Sequence, residues 1–398
     1  MFQVKDKNIP LLWSAQMIST AGDAIYHLAL IWLILDITGS PAVTGLVAMG
    51  TYLPAMLFSL YAGVLSDRLH RIGLMIFSNL AQAFTVIIIP TLLYLGHEAT
   101  LMIGVLAFIR AAFGTLFPPA LNAFIPTITD RDSLVRVNSV MATSQQFAWL
   151  IGPAFAGILL GFISLKALFI LDGLSFVLAT VLLLLVRQPE QKQRPTDHSS
   201  VKDLKEGVRY LVEHPFIGYF IGLTVINNLF IMGPAIVGTP ILVKEVLGGS
   251  ASDFAFVEAC LAFGMLIGSF FIYRLRGKIN PGLLLLIGMI LDGGTYSIFY
   301  LADSVPFVMV FITIHAIGIP MITVSRTAII QRHTPNAVHG RLFSMVHIAV
   351  VGMTALSSAL VGIIANSVDV RIIFFWIGIG AALCGVIGLL NKEIRRAD

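Results

Sequence analysis

Charged residues are scarce in this sequence. Asp, Glu, Lys and Arg make up 12% of its 398 residues, whereas a soluble domain averages about 25%. Hydrophobic residues make up 57%. About a dozen apolar stretches are long enough to cross a bilayer core, which takes about 20 helical residues. A soluble protein would have no water-facing elements left to cover such helices. The sequence therefore predicts an all-α polytopic membrane protein.

Cysteine is nearly absent, and so are the usual catalytic motifs. The two cysteines, Cys260 and Cys384, lie in separate apolar stretches, which argues against a disulfide framework or a thiolate metal site. The sequence lacks G-x-S-x-G, H-E-x-x-H and the phosphate-binding loop G-x-x-x-x-G-K-[ST]. These absences argue against a membrane enzyme and a self-contained ATP-driven pump. We predict no metal and no cofactor.

Lys and Arg divide the loops between twelve predicted spans into two sets. The loops that include both termini hold 20 of the 25 basic residues, and the other loops hold three. Because Lys and Arg mark the cytoplasmic side of a membrane protein, both termini are predicted to be cytoplasmic. The basic residues lie in these short loops, so we predict no nucleic-acid partner. The predicted spans are 10–35, 42–65, 72–95, 99–122, 138–162, 165–187, 215–240, 252–273, 281–301, 305–328, 342–366 and 371–391.

Two pairs of cytoplasmic segments recur at a nearly constant offset. GVLSDRLHR at 63–71 is echoed by GSFFIYRLRGK at 268–278, and Pro126 and Pro335 lie in similar segments 209 positions apart. These echoes predict two six-span halves in parallel repeat. Apolar and basic residues alternate at helical spacing in the linker, which predicts an amphipathic helix there. The predicted division is 1–187 for the N-terminal half, 188–214 for the cytoplasmic linker and 215–398 for the C-terminal half.

The charged turn after the second span resembles the signature of the major facilitator superfamily at that place. The matched residues are Gly63, Asp67, Arg68 and Arg71. His70 stands where a glycine is usual. One interpretation is a gate: when the cytoplasmic ends close, Asp67 lies beside the start of span eleven, near Arg341, where a helix dipole and a cation would attract it. The alternative is a charge cluster that only sets the topology.

Two other spans carry further resemblances to that superfamily. FIRAAFG in span four is similar to its second motif, matched at Arg110 and Gly114. IGPAFAG in span five resembles its antiporter motif, although Ala156 replaces a usual glycine. The matched antiporter-like residues are Gly152, Pro153 and Gly157.

The segments FPPALNAFIPTITDRDSLVRVNSVM and DLKEGVRYLVEHP are similar to a bacterial subgroup of that superfamily, the enterobactin exporter and macrolide efflux proteins. The resemblance covers nearly the whole chain. It implies the major facilitator fold, with twelve helices in two six-helix repeats, in a monomer of the bacterial inner membrane. It further implies a proton-driven exporter of a medium-sized organic molecule such as a drug, macrolide or siderophore, whose partners are this molecule, protons and the lipid bilayer. A lysophospholipid or other lipid facilitator and a small-metabolite importer remain open.

Two opposite charges lie near the middle of their spans, Asp23 in span one and Arg110 in span four. A charge at the bilayer centre costs at least about 2.5–3.5 kcal/mol on insertion scales, so each needs a partner or a role. Their equal depth makes them plausible partners. Two interpretations are open: a permanent structural ion pair, or a carboxylate that binds a proton when the arginine moves away.

Further polar side chains lie within the spans. Those of span one share one helix face, which we expect to point into the bundle: Gln16, Thr20, Asp23 and His27. Each of three more acids, Asp172, Glu258 and Asp292, is interpreted as a second proton carrier, a contact for a cationic substrate or a solvent-wetted residue. Because Asp172 and Glu258 lie nearer the outer ends of their spans, we expect them to be wetted.

Three polar residues of the C-terminal half are further candidates for lining a substrate cavity, as are the polar residues named above. His315 is interpreted as a hydrogen-bonded core histidine, with a pH switch as the alternative. Asn227 and Asn228 suit hydrogen bonds in a substrate cavity and contacts between helices equally well.

Overall fold

The computed structural model describes residues 8–96, 99–187, 200–275 and 279–397. Within these ranges the chain is almost entirely helical and has no strand. Eleven helical segments of the described chain are long and apolar enough to cross a membrane. The prediction of an all-α polytopic membrane protein is confirmed.

Most helices before residue 188 begin and end within three residues of the predicted span limits, but the helix of span five begins seven residues before its predicted start. They are α1 (Asn8–Thr38), α2 (Pro41–Arg68), α3 (Arg71–Tyr94), α4 (Thr100–Gly114), α5 (Phe117–Ile128), α6 (Arg131–Leu159) and α7 (Leu165–Leu184). One of the twelve predicted spans, 138–162, falls in α6 and is not among the eleven apolar segments. This helix is long enough to span, but Gln145 and Gln146 lower its mean hydropathy.

The helices after residue 199 form the second half of the described chain. They are α8 (Ser200–Glu213), α9 (Pro215–Gly233), α10 (Thr239–Ile241), α11 (Ala251–Leu275), α12 (Pro281–Ile298), α13 (Val305–His333), α14 (Asn336–Ala365), α15 (Val370–Leu390) and α16 (Lys392–Arg395). α8 lies where the amphipathic helix of the linker is predicted. The rest of that linker, 188–199, lies outside the described residues.

Two spans depart from a single regular helix. Span four is predicted as one helix over 99–122, but the structure breaks it at Thr115 and Leu116. The break precedes Pro118 and Pro119, which lack an N–H and so fit the first turn of α5 better than a helix interior. Span seven continues past α9 through π-helical turns at Pro234–Gly238 and Leu242–Val246.

The described residues divide into two compact units, one of 8–39 and 50–187 and one of 40–49 and 200–397. In the first unit α1 packs on α6 and α7, and α3 packs on α4 and α7. In the second unit α9 packs on α14 and α15, and α12 packs on α13 and α15. These pairings match span for span if the second half repeats the first. They support the predicted repeat, which stays a prediction.

Candidate functional site

Arg110 of α4 binds two carboxylates inside the first unit. Its Nη2 lies 2.6 Å from Oδ1 of Asp23 on α1 and 2.8 Å from Oδ2 of Asp172 on α7. The side chains of Arg110 and Asp172 are 5% and 0% exposed, whereas that of Asp23 is 29% exposed. The structure therefore brings together the two residues whose pairing is predicted, and it adds a third.

Two buried aromatic rings cover the guanidinium. Its central carbon lies 3.7 Å from the ring centroid of Tyr26 and 5.2 Å from that of Phe176. Rings at this distance attract a cation through their π-electrons. They also exclude water, and charges attract each other more strongly where water is absent. The three-charge cluster is thus held in a dry part of the unit, with Asp23 at its more exposed edge.

The charges of the cluster do not balance when both acids are ionised. One guanidinium and two carboxylates give a net charge of −1, and the cluster is neutral when one carboxyl binds a proton. Buried charges are costly unless they are paired. The arrangement can therefore hold one proton without breaking both of its ion pairs.

Glycines bring the helices that carry these residues into close contact. A Cβ at Gly22, next to Asp23, would collide with Oγ of Ser175 and lie 2.7 Å from Oδ1 of Asp172. A Cβ at Gly152 would lie 2.5 Å from the Cβ of Ala24. Gly22 therefore allows α1 to pack closely on α7, and Gly152 allows α6 to pack closely on α1 at Ala24. These two contacts involve the residues just before and just after Asp23.

The expectation that Asp172 is wetted near the outer end of its span is wrong. Its side chain is fully buried and bound to Arg110. The reason is the crossing of α1 and α7 at Gly22, which places the middle of both helices at the cluster. Glu258 of α11 is half-buried, and its interpretation as a wetted residue stays a prediction.

The other polar residues of the α1 face, Gln16, Thr20 and His27, are buried or half-buried in the first unit. Gln16 and Thr20 are buried. His27 is half-buried between two rings, 5.4 Å from the centroid of Trp149 and 6.2 Å from that of Tyr52. These positions agree with the expectation that the face points into the bundle.

The gate-like residues lie at the turn between α2 and α3. Asp67 and Arg68 are exposed at the end of α2. A Cβ at Gly63 would meet no atom of the described residues within 4 Å, so none of their packing in this conformation requires the glycine. His70 has a local role that the sequence did not indicate: its Nδ1 accepts a hydrogen bond from the N–H of Gly73 at 3.0 Å and caps α3.

Polar residues of the second unit are bound across helix contacts. Asn228 of α9 donates to the carbonyl oxygen of Val350 and to Oγ1 of Thr354 on α14, both at 3.1 Å. Asn227 donates to Ala381 of α15 at 3.4 Å. These bonds favour contacts between helices over free cavity donors.

Two further polar residues of this unit, Asp292 and His315, lie side by side between α12 and α13. Nε2 of the histidine is 3.1 Å from Oδ1 of the aspartate. The interpretation of His315 as a hydrogen-bonded core residue agrees with its burial and its contacts.

Comparison with known proteins identifies a single family over nearly the whole chain. The family model described as transmembrane secretion effector matches residues 4–398. Macrolide efflux protein A of Streptococcus pyogenes is 24% identical over 97% of this chain and 96% of its own length. The uncharacterised transporter YfiS of Bacillus subtilis, of the major facilitator type, is 25% identical over 98% of this chain and 94% of its own. The multidrug efflux pump Tap of Mycolicibacterium fortuitum is 21% identical over 100% of this chain and 99% of its own.

Solved transporters share the fold at lower sequence identity. A bacterial homologue of the human lysosomal transporter Spinster, inward-facing and unoccupied, has a TM-score of 0.75 and 13% identity and covers 98% of this chain and 97% of its own. PepTSo, a transporter of the POT family, has a TM-score of 0.76 and 12% identity and covers 98% of this chain and 99% of its own. At these identities the likeness concerns the fold alone, and it agrees with the predicted architecture.

Proposed function

Because the chain belongs to the transmembrane secretion effector family and is a major facilitator transporter of the macrolide efflux subgroup, we propose that it is a proton-driven exporter of a medium-sized organic molecule. The names of two relatives, macrolide efflux protein and multidrug efflux pump, support a drug-like substrate. We propose a bacterial inner-membrane location with both termini in the cytoplasm, on the distribution of basic residues.

The observation that carries the proton coupling is the sharing of Arg110 between two acids. A carboxylate beside a cation favours its ionised form, and a buried carboxylate without the cation favours its protonated form. Movement of α1 away from α4 would therefore let Asp23 bind a proton. In the structure Nη2 touches both acids, so Asp172 would still balance Arg110 after Asp23 had left.

The difference in exposure supports a different role for each acid. Asp23 is 29% exposed and can exchange a proton with water, whereas Asp172 is 0% exposed and suits a permanent partner. Leaving a buried cation with no partner is strongly unfavourable. Asp172 thus avoids the free-energy cost of leaving Arg110 unpaired, which a pair of only two residues would incur each time its ions separated.

The antiporter-like residues support the same coupling. Gly152 lies against Ala24, the neighbour of Asp23 in α1, and Pro153 and Gly157 follow in the same buried part of α6. A rocking movement of α6 would therefore reach the acid directly. The polar face of α1, with Gln16 and His27 on either side of Asp23, is the proposed substrate-facing surface of this half.

The direction and energy source are tested with membrane vesicles. We expect everted vesicles to accumulate a radiolabelled macrolide when a proton gradient is imposed, and an uncoupler to abolish the accumulation. Right-side-out vesicles should exclude it. Uptake of a small metabolite by right-side-out vesicles, without macrolide accumulation by everted ones, would favour a small-metabolite importer. Transfer of a labelled lysophospholipid between leaflets, without macrolide uptake, would favour a lipid facilitator.

A further inference from the structure

Asp292 and His315 meet in the interior of the second unit, where α12 crosses α13. Their side chains are 2% and 1% exposed, and Oδ1 of Asp292 lies 3.1 Å from Nε2 of His315. Two glycines permit this close approach. A Cβ at Gly318 would lie 2.8 Å from the carbonyl oxygen of Gly288 and 3.5 Å from the Cβ of Asp292. The pair is therefore enclosed by the helices that carry it.

Neighbouring acceptors fix which nitrogen of His315 carries a hydrogen. Nδ1 lies 3.0 Å from the carbonyl oxygen of Asp292 and 3.2 Å from Oγ1 of Thr295. The carbonyl oxygen can only accept. The Thr295 hydroxyl already donates to helix carbonyls, at 2.7 Å from Leu291 and 2.9 Å from Asp292. Nδ1 is therefore the donor, and a neutral ring presents the lone pair of Nε2 to the carboxyl group.

If Asp292 were ionised and His315 neutral, Oδ1 and Nε2 would be two hydrogen-bond acceptors 3.1 Å apart with no hydrogen between them. Neither atom has a hydrogen-bond partner among the described residues. We propose that the two residues bind one proton between them, either as a carboxylic acid with an imidazole or as a carboxylate with an imidazolium. Both forms make the pair neutral, which a site inside the membrane favours.

The other groups around the pair do not provide this charge balance. Tyr296 of α12 stacks on His315, with centroids 3.9 Å apart and ring planes 10° apart. Glu258 of α11 is near enough to Tyr296 to interact with it electrostatically, and it is an acid. The next basic residue of α13 is Arg326, about three turns or roughly 16 Å along the helix. For the described residues, the structure pairs Asp292 with His315, so a proton is the cation that completes the site.

This pair is a proton-binding site separate from the Arg110 cluster of the first unit. The binding of a proton by this pair does not depend on transport. Its proposed part in coupling proton movement to transport rests on the proposed proton-driven function. Because the glycine contact closes α12 against α13, exchange of the proton requires the two helices to part. Protonation of this site is thereby tied to helix movement in the second unit.

The occupancy is tested by nitrogen-15 NMR of the protein labelled at histidine, in lipid nanodiscs at neutral pH. The His315→Gln variant identifies the signals of this residue. His214 is a matched reference in the same spectrum: its ring stacks on Tyr210 at 3.9 Å, and its Nδ1 lies 2.9 Å from the Tyr210 carbonyl oxygen, but its side chain is exposed. His214→Gln assigns the reference signals.

We expect Nδ1 of His315 to carry a hydrogen and Nε2 to carry one or to accept one from the carboxyl group. Asp292→Asn should retain an Nε2 that accepts a hydrogen bond, because the amide can donate to it, whereas Asp292→Ala should leave Nε2 without that donor. A wild-type Nε2 with neither a hydrogen nor a hydrogen bond would overturn the proposal. So would a ring with its hydrogen on Nε2 and a bare Nδ1.

The part in coupling is tested in the everted vesicles. Asp292→Asn fixes the pair in its neutral form, so proton-driven macrolide accumulation should fall to the level reached with an uncoupler, while exchange of macrolide across the membrane continues. Accumulation at the wild-type level would remove the pair from coupling. That result would leave the proposed function intact if Asp23→Asn still abolished accumulation. A wild-type protein that accumulates no macrolide would instead contradict the proposed function, and the NMR result would stand apart from it.

Discussion

Two acids share one arginine in the first unit, and their environments differ. Asp172 is closed off from solvent between α1, α4 and α7, while Asp23 keeps 29% of its side-chain surface exposed. Water can therefore hydrate Asp23 when it leaves the arginine, whereas it cannot reach Asp172. We therefore propose that Asp172 is the fixed partner of Arg110 and Asp23 the exchangeable one, although their ion-pair distances are similar.

This asymmetry predicts unequal losses of stability. Asp172→Asn leaves Arg110 with Asp23 as its partner in the cluster, so the guanidinium is buried and unpaired whenever Asp23 leaves, and a broken buried ion pair costs about 3–5 kcal/mol. Asp172→Asn should therefore lower the unfolding temperature of the purified protein clearly more than Asp23→Asn. Thermal unfolding in detergent measures both. Equal shifts, or a larger shift for Asp23→Asn, would contradict the assignment of Asp172 as the fixed partner.

At the scale of helices, α1 is held between α6 and α7 by small residues on each side of Asp23. The seat at Gly22 leaves no room for a side chain beside Asp172. Coupling between a carboxyl group and helix movement requires such contacts, because a loosely packed helix could turn without breaking the ion pair.

Gly22→Ala should therefore impair both stability and transport. The added methyl group forces α1 away from α7, and overpacking of this kind typically costs about 1–3 kcal/mol. Gly50→Ala is a matched control in a transmembrane helix, because a Cβ at Gly50 would meet no atom within 4 Å in the part of the chain that the structure describes. We expect the first variant to lose most vesicle uptake and the second to keep it. Similar uptake by the two variants would show that the close contact is dispensable.

The turn between α2 and α3 is proposed to act as a gate at the cytoplasmic ends of the helices. Arg341 at the start of α14 lies 3.1 Å from Glu206 of α8 in this structure, and Asp67 is exposed. If Asp67 binds at the start of that helix in another conformation, Asp67→Asn should lower transport several-fold at unchanged expression.

The matched control for the gate is Asp369→Asn, in a loop of the opposite set. Hydrogen bonds from Arg371 hold the pKa of Asp369 below its ordinary value, so this carboxyl group is ionised at neutral pH. Its substitution should leave transport unchanged. Normal transport by Asp67→Asn would leave only a role in setting the topology.

For the whole molecule, the basic residues predict the orientation in the membrane. In a variant without Cys260 and Cys384, a cysteine introduced at Ala251 should react with a membrane-impermeant thiol reagent added outside intact cells. A cysteine at Lys392 should react only after the membrane is made permeable. The reverse pattern would contradict cytoplasmic termini.

The sequence predicted the helical spans and the depth of Asp23 and Arg110 because both follow from local patterns. Apolar length defines a span, and counting from its ends gives the approximate depth of a charge. The break between α4 and α5 was missed, although the Pro118–Pro119 pair signalled it.

The third member of the cluster could not be read in this way. Counting along its span places Asp172 near an outer end, but its depth depends on how α7 tilts across α1, and Gly22 sets that crossing. Tyr26 was also missed, although it follows Asp23 by three residues and so lies close to the same helix face. The contact of Asp292 with His315 likewise depends on a crossing at Gly288 and Gly318, which residue spacing does not reveal.

The central claim is that Asp23 binds and releases the transported proton while Asp172 keeps Arg110 paired. It is tested most directly by comparing two modes of transport in everted vesicles: accumulation of a radiolabelled macrolide driven by a proton gradient, and exchange against unlabelled macrolide inside. We predict that Asp23→Asn, which mimics the protonated acid, exchanges macrolide at a rate close to that of the wild type and accumulates none. We predict that Arg110→Ala loses both modes. Proton-driven accumulation by Asp23→Asn at the wild-type level would contradict the claim and make the cluster a structural one.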